Sequence, residues 1–208
     1  VVLIGGSAIA AYSPLFAVES ITVVGASAVE PEAIEAALSD QIGTPLALVH
    51  SSDVKAALLS FPLIETYALE AHPPHDLTIR IVERTPVGVI DTDAGFTLVD
   101  AAGVALATTQ ERPDGQPVLD IEGGVDSDAF ESAGLVMRSL PGELRERVTA
   151  VRASSPDDVT LTLSGDVSVV WGSVEDSALK GLTLTAVMEA NPDGSRFDVS
   201  SPDVPVVG

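Results

Sequence analysis

Apolar residues in the first part of the chain recur with a period of two, then with the period of a helix, then with a period of two again. Residues 16–24 predict a strand, residues 27–43 and 51–62 predict helices, and residues 63–71 and 77–83 predict two further strands. The order strand, helix, helix, strand, strand indicates a small α+β unit with its helices on one face of a sheet.

The pattern changes after Pro86, where short apolar stretches are separated by turns that contain glycine. Strands are predicted over residues 87–90, 96–99, 103–107, 118–121, 148–153, 158–163 and 167–172. Helices are predicted over residues 126–142, capped by Asp126 or Ser127, and over residues 175–190. A last extended stretch covers residues 196–207. The whole chain is therefore expected to be α+β, with a mixed sheet and two helices in its second part.

The stretch from residue 82 to residue 103 joins these two patterns. Asp91, Asp93 and Gly95 resemble part of a calcium-binding loop, but the further Asp or Asn before the glycine and the closing Glu are absent. A hairpin turn with polar tips is the better interpretation. Pro86 lacks a backbone donor and ends the first sheet, so we expect one domain over residues 14–85 and a second over residues 86–208.

Residues 1–12 are apolar and carry no charge. They are too few for a membrane-spanning helix, which needs about 20 residues, and they lack the basic start of a signal peptide. Tyr12 followed by Ser13 and Pro14 is typical of a membrane interface and a helix stop. We expect residues 1–13 to be the outer end of a transmembrane helix; the alternative is a buried strand or core helix.

The net charge of −21, with ten basic residues among 208, restricts the partners. Nucleic-acid affinity comes largely from counterion release by Lys and Arg, so such a surface repels phosphate backbones, and it repels anionic lipid headgroups for the same reason. A basic or neutral protein is the expected partner, and no nucleic acid is expected. Cysteine is absent, which removes disulfides and thiolate chemistry.

Two motifs match the Ser-x-x-Lys element of penicillin-recognising enzymes, at Ser52 to Lys55 and at Ser177 to Lys180. That chemistry also needs a Ser-x-Asn and a Lys-Thr-Gly element. The single Asn in the sequence is Asn191, and no Lys-Thr-Gly occurs. Acyl transfer is therefore not predicted.

The imidazoles of His72 and His75 flank two prolines, and His50 is the third histidine in the sequence. A zinc site needs three or four ligands, so a rigid turn explains this stretch better than a metal. Acid pairs such as Asp157 and Asp158 fall among turn residues, where solvated roles are expected. We predict no catalytic residue, no metal and no cofactor.

Several stretches together resemble the bacterial cell-division family FtsQ/DivIB, whose first domain is a POTRA domain. The Glu-Arg-x-Pro-Val sequence at residues 83–87 is the most specific of these. The stretches that carry the resemblance are FAVESITVVG (16–25), DVKAALLSFPLIETYALE (53–70), LTIRIVERTPVG (77–88), FTLVDAAGVAL (96–106), VVWGSVEDSALKGLTLTAVM (169–188) and FDVSSPDVPVV (197–207).

The resemblance implies a non-enzymatic scaffold of the cell-division complex, the divisome. It implies one membrane anchor, a POTRA domain and a β domain outside the membrane, enriched at the division septum. The implied partners are FtsB (DivIC in Gram-positive bacteria) and FtsL, with other divisome components bound by the POTRA domain. The alternative is a POTRA-containing binding module of a secretion or outer-membrane assembly system.

The resemblance also implies that the last strand of the β domain offers its edge to a partner. Because Pro202 and Pro205 lack donors, pairing is expected to concentrate on residues 196–201. The predicted contact residues are Lys180, Arg196, Phe197, Asp198, Val199, Ser200 and Ser201. Two alternatives stay open: the prolines and Asp198 only protect the edge, and Lys180 only pairs with Asp176. Trp171, the single Trp, is expected in the core or at the sheet rim, with a partner anchor as the alternative.

Overall fold

A computed structural model describes residues 13–208 of the chain. The predicted transmembrane end therefore lies almost wholly outside the described residues. Within residues 13–208, no helix combines the length and apolar character that crossing a membrane requires. The chain divides into two compact units between Arg84 and Thr85.

The first unit has the predicted order of elements. Its elements are β1 (Ser20–Val24), α1 (Pro31–Ala37), α2 (Ser51–Leu58), β2 (Ile64–His72) and β3 (Asp76–Glu83). The sheet order is β1-β3-β2, in which β1 runs parallel to β3 and β2 runs antiparallel to it. Alternation along β3 buries Leu77, Ile79 and Ile81 in one core with Ile34 of α1 and Val54 of α2.

The start of the first unit differs from the strand predicted over residues 16–24. Pro14–Phe16 form a 3-10 turn, because the hydroxyl of Ser13 accepts a hydrogen bond from the amide of Leu15 and Pro14 suits the first helical position. Ala17 makes only an isolated bridge, so the regular strand begins at Ser20.

The first helix is also shorter than the prediction over residues 27–43. It begins at Pro31, because the amides of Ser27, Ala28 and Val29 all donate to the carboxylate of Glu83 at the end of β3. Ser39–Gln41 add a separate 3-10 turn. The loop before α1 is thus held by Glu83, a residue from the far end of the unit. The apolar period within residues 27–43 cannot indicate this contact.

Glu83 belongs to the Glu-Arg-x-Pro sequence, and its environment shifts its ionisation. Partial burial raises its pKa, but the hydrogen bonds from the Ser27 hydroxyl and from the amides of Ser27, Val29 and Ala28 favour the carboxylate. The net effect lowers the pKa of Glu83 to about 2. The folded state therefore holds this carboxylate ionised at any pH above that value.

A Glu83→Gln substitution should lower the free energy of unfolding of the first unit at pH 7. Because the folded-state pKa is depressed, the contribution is complete above the unfolded pKa of 4.5 and is lost as the pH falls through about 2. Because solvent screens this partly exposed site, the contribution of Glu83 to the free energy of unfolding is about 1–2 kcal/mol. Thermal unfolding followed by circular dichroism at pH 7 and below pH 2 measures this contribution, since wild type and variant should converge once Glu83 is protonated in the folded state.

The matched control for that variant is Glu65→Gln, which changes an exposed carboxylate on β2. It should leave the unfolding transition in place at both pH values. Equal shifts for the two variants would mean that net charge, not the capping of the loop, sets the effect.

The second unit is a nine-stranded mixed sheet. Its strands are β4 (Pro86–Thr92), β5 (Gly95–Asp100), β6 (Ala105–Thr109), β7 (Val118–Ile121), β8 (Val148–Ala153), β9 (Val159–Leu163), β10 (Val167–Gly172), β11 (Arg196–Asp198) and β12 (Val206–Val207). The spatial order is β12-β11-β10-β9-β8-β7-β4-β5-β6. The α+β class is confirmed, with parallel pairs at β4·β7, β7·β8 and β10·β11.

Three helices accompany this sheet: α3 (Asp128–Ser139), α4 (Gly142–Arg147) and α5 (Ser177–Ala190). Ser127 caps α3 by accepting a hydrogen bond from the amide of Phe130, as one of the two predicted caps. Helix α4 was not predicted, because Pro141-Gly142 was expected only to end the preceding helix. Instead the carbonyl of Pro141 accepts from the amide of Arg145 and starts a new helix.

The core of the second unit lies between the sheet and its helices. Alternate residues of β8, β9 and β10 point inward, and Phe130, Met137 and Leu184 meet them from the helices. Trp171 at the end of β10 is fully buried, which confirms the core interpretation. The opposite face of these strands carries Thr, Ser and Arg side chains.

Candidate functional site

The predicted open edge along residues 196–201 is wrong for β11. This strand pairs in parallel with β10 on one side and antiparallel with β12 on the other, so its backbone is already bonded on both sides. Phe197 lies opposite Val207, and Asp198 lies opposite Val206. The sheet ends one strand later than expected, at β12.

Within the part of the chain that the structure describes, residues 13–208, no strand pairs with the outer edge of β12, and this edge presents the backbone of Val207. Gly208 and Arg196 exchange both of their hydrogen bonds, at 2.9 Å and 3.2 Å, so the polar groups of Gly208 point inward. Successive residues of an antiparallel strand alternate in direction, so the N–H and C=O of Val207 point away from β11. The residue two positions earlier, Pro205, has no donor.

The predicted contact residues of the last stretch fall into two groups. Phe197 and Val199 are buried in the core, so their side chains are closed to a partner in the folded unit. Arg196, Ser200 and Ser201 are exposed and Asp198 is half-buried. The two groups differ because side chains alternate along a strand, so that Phe197 and Val199 face the helices and the residues between them face away.

Lys180 is not a surface residue, which corrects its predicted role. Its side chain is 2% exposed, and its ammonium group donates to the carbonyl oxygen of Ser173 at 2.8 Å. Burial lowers the pKa of Lys180, and the nearby carboxylates of Asp176 and Glu175 oppose that shift. Lys180 therefore holds the turn between β10 and α5 together.

Ser177, the serine of the second Ser-x-x-Lys match, is engaged in the same turn. Its hydroxyl donates to the carbonyl of Val174 at 2.6 Å and accepts from the indole N–H of Trp171 at 3.1 Å. Ser177 and Lys180 thus each bond to other groups of the turn. The two side chains therefore join Trp171, α5 and the turn between them.

An apolar surface adjoins the β12 edge, and sequence reasoning did not predict it. Leu179 and Leu182 of α5 are exposed, by 46% and 67%. Val204 and Val206 are also exposed, by 72% and 60%, but Val206 is paired with Asp198 and lies on the face of the sheet opposite α5. The sequence does contain a signal, because α5 is apolar on most sides and the sheet covers only one of them.

One hydrogen bond connects α5 with the C-terminal segment, and a groove lies between them. The hydroxyl of Thr183 lies 3.5 Å from the carbonyl oxygen of Pro202. Below α5 runs a groove of about 830 Å³, whose apolar lining includes Leu144, Leu182, Met188 and Phe197. Gly194 at the groove is packed so closely that a Cβ there would lie 3.2 Å from Cγ1 of Val207. Edge, helix face and groove are therefore neighbours.

The other candidate sites of the sequence are turns. Asp91 and Asp93 flank the β4–β5 hairpin, in which the hydroxyl of Thr92 donates to the carbonyl of Gly95. His75 in the β2–β3 turn lies 3.0 Å from the carbonyl oxygen of Ala17 through Nδ1. Among residues 13–208, no three carboxylate or imidazole side chains come together in the way a metal ion requires.

Two protein-family descriptions match the chain. The FtsQ-type POTRA domain matches residues 16–84, and the C-terminal domain of the cell division protein FtsQ/DivIB matches residues 88–201. Each match covers nearly the whole of one structural unit.

Curated relatives match over almost the full chain. The cell division protein FtsQ of Streptomyces venezuelae is 33% identical over 98% of the chain and 79% of its own length. The protein of the same name from Streptomyces collinus is 34% identical over 99% of the chain and 83% of its own length. That of Mycobacteroides abscessus is 32% identical, and the chain spans 66% of its length.

Proposed function

We propose, from the premise that this chain belongs to the FtsQ/DivIB family of cell division proteins, that it is a non-enzymatic scaffold of the divisome. In this proposal the β domain binds FtsB/DivIC and FtsL outside the membrane. The POTRA domain binds other divisome components, and an N-terminal helix anchors the protein in the cell membrane at the septum.

The observation that carries the binding proposal is the free edge of β12. A sheet edge with outward N–H and C=O groups is a template on which an extended partner segment can add a strand. β12 has two residues, and one donor is already absent at Pro205, so the edge pairs weakly by itself. Affinity must therefore come from side-chain contacts nearby.

The apolar surface of α5 and the C-terminal segment supplies those contacts. Leu179 and Leu182 of α5 and Val204 before β12 are exposed, and burying them against a partner removes apolar area from water. Of the predicted contact residues, Arg196, Asp198, Ser200 and Ser201 remain in this proposal as polar contacts at the rim. Phe197, Val199 and Lys180 contribute by holding β11 and α5 in place.

Charge favours a partner with basic residues around an apolar stripe. Glu175, Asp176 and Glu189 of the α5 region and Asp203 beside β12 are exposed, within a chain of net charge −21. Opposite charges on a partner steer association and speed it at low salt.

The test is isothermal titration of residues 13–208 with the soluble extracytoplasmic segments of FtsB/DivIC and of FtsL, separately and as a pair. We expect saturable binding of the FtsB/DivIC segment, together with slower hydrogen exchange at residues 204–208 and along α5. Absence of binding to either segment and to the pair would contradict the proposal.

A further inference from the structure

A second surface lies at the other end of the nine-stranded sheet, and we call it the hairpin cleft. It is a cleft of about 480 Å³ between the β5–β6 turn and α3, lined by Ala101, Ala102, Val125, Asp126, Ser127, Asp128, Phe130, Glu131, Leu135 and Arg138. The sheet order separates it from β12, because β5 and β6 stand at the opposite end.

The turn that forms one wall of the cleft is held rigidly. The carboxylate of Asp100 is buried and accepts from the amides of Ala102 and Val104, at 3.0 Å and 2.8 Å. A Cβ at Gly134 of α3 would lie 2.7 Å from the carbonyl oxygen of Ala101, so the turn rests directly on the helix. The cleft is therefore preformed, and a ligand would not pay to order this wall.

The lining of the cleft combines apolar and polar side chains and is open to solvent. Phe130 forms part of the lining and is buried in the core, while Val125 and Leu135 remain 37% and 42% exposed. Leu135 lies one turn of α3 beyond Glu131, so its exposed surface lies beside a charge. Large apolar side chains grouped in a cleft mark a docking position more strongly than scattered ones do.

Three carboxylates line the same cleft, those of Asp126, Asp128 and Glu131. No ion pair within residues 13–208 uses any of the three. Asp128 and Glu131 lie in the first turn of α3, where the helix dipole favours them, but Asp126 precedes the cap. The one cation of the lining, Arg138, lies about two turns further along the helix.

We propose that the hairpin cleft binds a short basic segment of a partner protein. An apolar side chain of that segment contacts Val125 and Leu135, and neighbouring Arg or Lys side chains pair with the carboxylates of Asp126, Asp128 and Glu131. The charge complementarity selects this occupant, because an acidic or phosphorylated segment would meet three negative charges. The cleft and the β12 edge lie apart, so one domain has separate surfaces for two partners, independently of the proposed function.

The experiment is a titration of ¹⁵N-labelled residues 13–208 with a blocked hexapeptide that contains one Leu between two Arg residues. We expect amide shifts confined to residues 101–103 and 125–138. The paired substitution Asp126→Asn with Glu131→Gln, and separately Leu135→Ser, should weaken binding about tenfold. All three positions leave the Ser127 cap and the buried Asp100 untouched, so the fold is expected to persist.

The matched control is Asp91→Asn with Asp93→Asn, which removes the same charge at the other end of the β4–β5 hairpin. It should change affinity less than about twofold. A peptide with Ser in place of Leu should bind much more weakly. Three outcomes would overturn the proposal: shifts spread over the acidic surface, equal loss in the control pair, or equal binding of the Ser peptide.

Discussion

A Val207→Pro substitution should weaken binding of the FtsB/DivIC segment by on the order of 100-fold. Val207 presents the outward N–H of β12, and proline removes that donor and places its ring where an added strand would lie. Since Pro205 already lacks a donor, the edge would then have none on this strand. Isothermal titration of the variant against the wild-type chain measures the loss.

The matched control for the edge is Val206→Thr, which keeps every backbone donor and a β-branched shape. We expect its affinity to stay within about twofold of wild type. Fluorescence of Trp171 should report the same unfolding transition in both variants, which separates edge blocking from loss of fold.

A deletion of residues 203–208 gives a second test of the same site, because it removes β12 instead of blocking its outer edge. It removes β12 and opens the edge of β11, the edge that the sequence alone predicts as the site. Loss of binding on deletion would show that the partner pairs with β12. Stronger binding would show that the partner displaces β12 and bonds to the backbone of Arg196 and Asp198, which would contradict the β12 proposal.

A Trp171→Ala substitution should produce the largest loss of stability in the second unit, about 3–5 kcal/mol. The indole is fully buried, its ring rests against Gly181 of α5, and its N–H bonds to Ser177. Removing it leaves a cavity and takes away the hydrogen bond that the Ser177 hydroxyl accepts in the turn that positions α5. Because domains are typically stable by about 5–15 kcal/mol, this variant should be close to unfolding.

The measurement is urea unfolding followed by circular dichroism, because the substitution removes the single Trp of the sequence. Trp171→Phe is the conservative control, since it keeps an aromatic ring and loses only the indole hydrogen bond and some volume. We expect it to cost about 1–2 kcal/mol. If Trp171→Ala were as mild as Trp171→Phe, the ring would not be the packing centre of this unit.

The sequence predicts most elements of the fold because their signals are local. The strict alternation of Leu77, Ile79 and Ile81 identifies β3, and the prediction over residues 118–121 agrees with β7. Ser127 as a cap follows from its place before an apolar periodic stretch. In the same way, the stretches of the family resemblance are contiguous, and the family is confirmed by the matches over residues 16–84 and 88–201.

The sequence predicts the candidate site only in part. The parts it predicts wrongly depend on contacts between residues that are distant in the sequence. Lys180 is buried because its ammonium group bonds to the carbonyl of Ser173 and because α5 packs over it. The sequence around Lys180 does not indicate this burial. β11 is covered because the chain turns back after Pro202 and Pro205 and residues 206–207 pair with it. A two-residue strand is too short for periodicity to identify.

The amino-acid sequence by itself determined the order of most elements, the α+β class, the acidic and cysteine-free character, and the family of this protein. Only the tertiary structure decided which strand forms the edge, which leucines of α5 stay exposed, and how Glu83 ends the loop before α1. The physical reason is range: period and capping act over a few residues, whereas an edge, a groove or a buried charge exists only where distant segments meet.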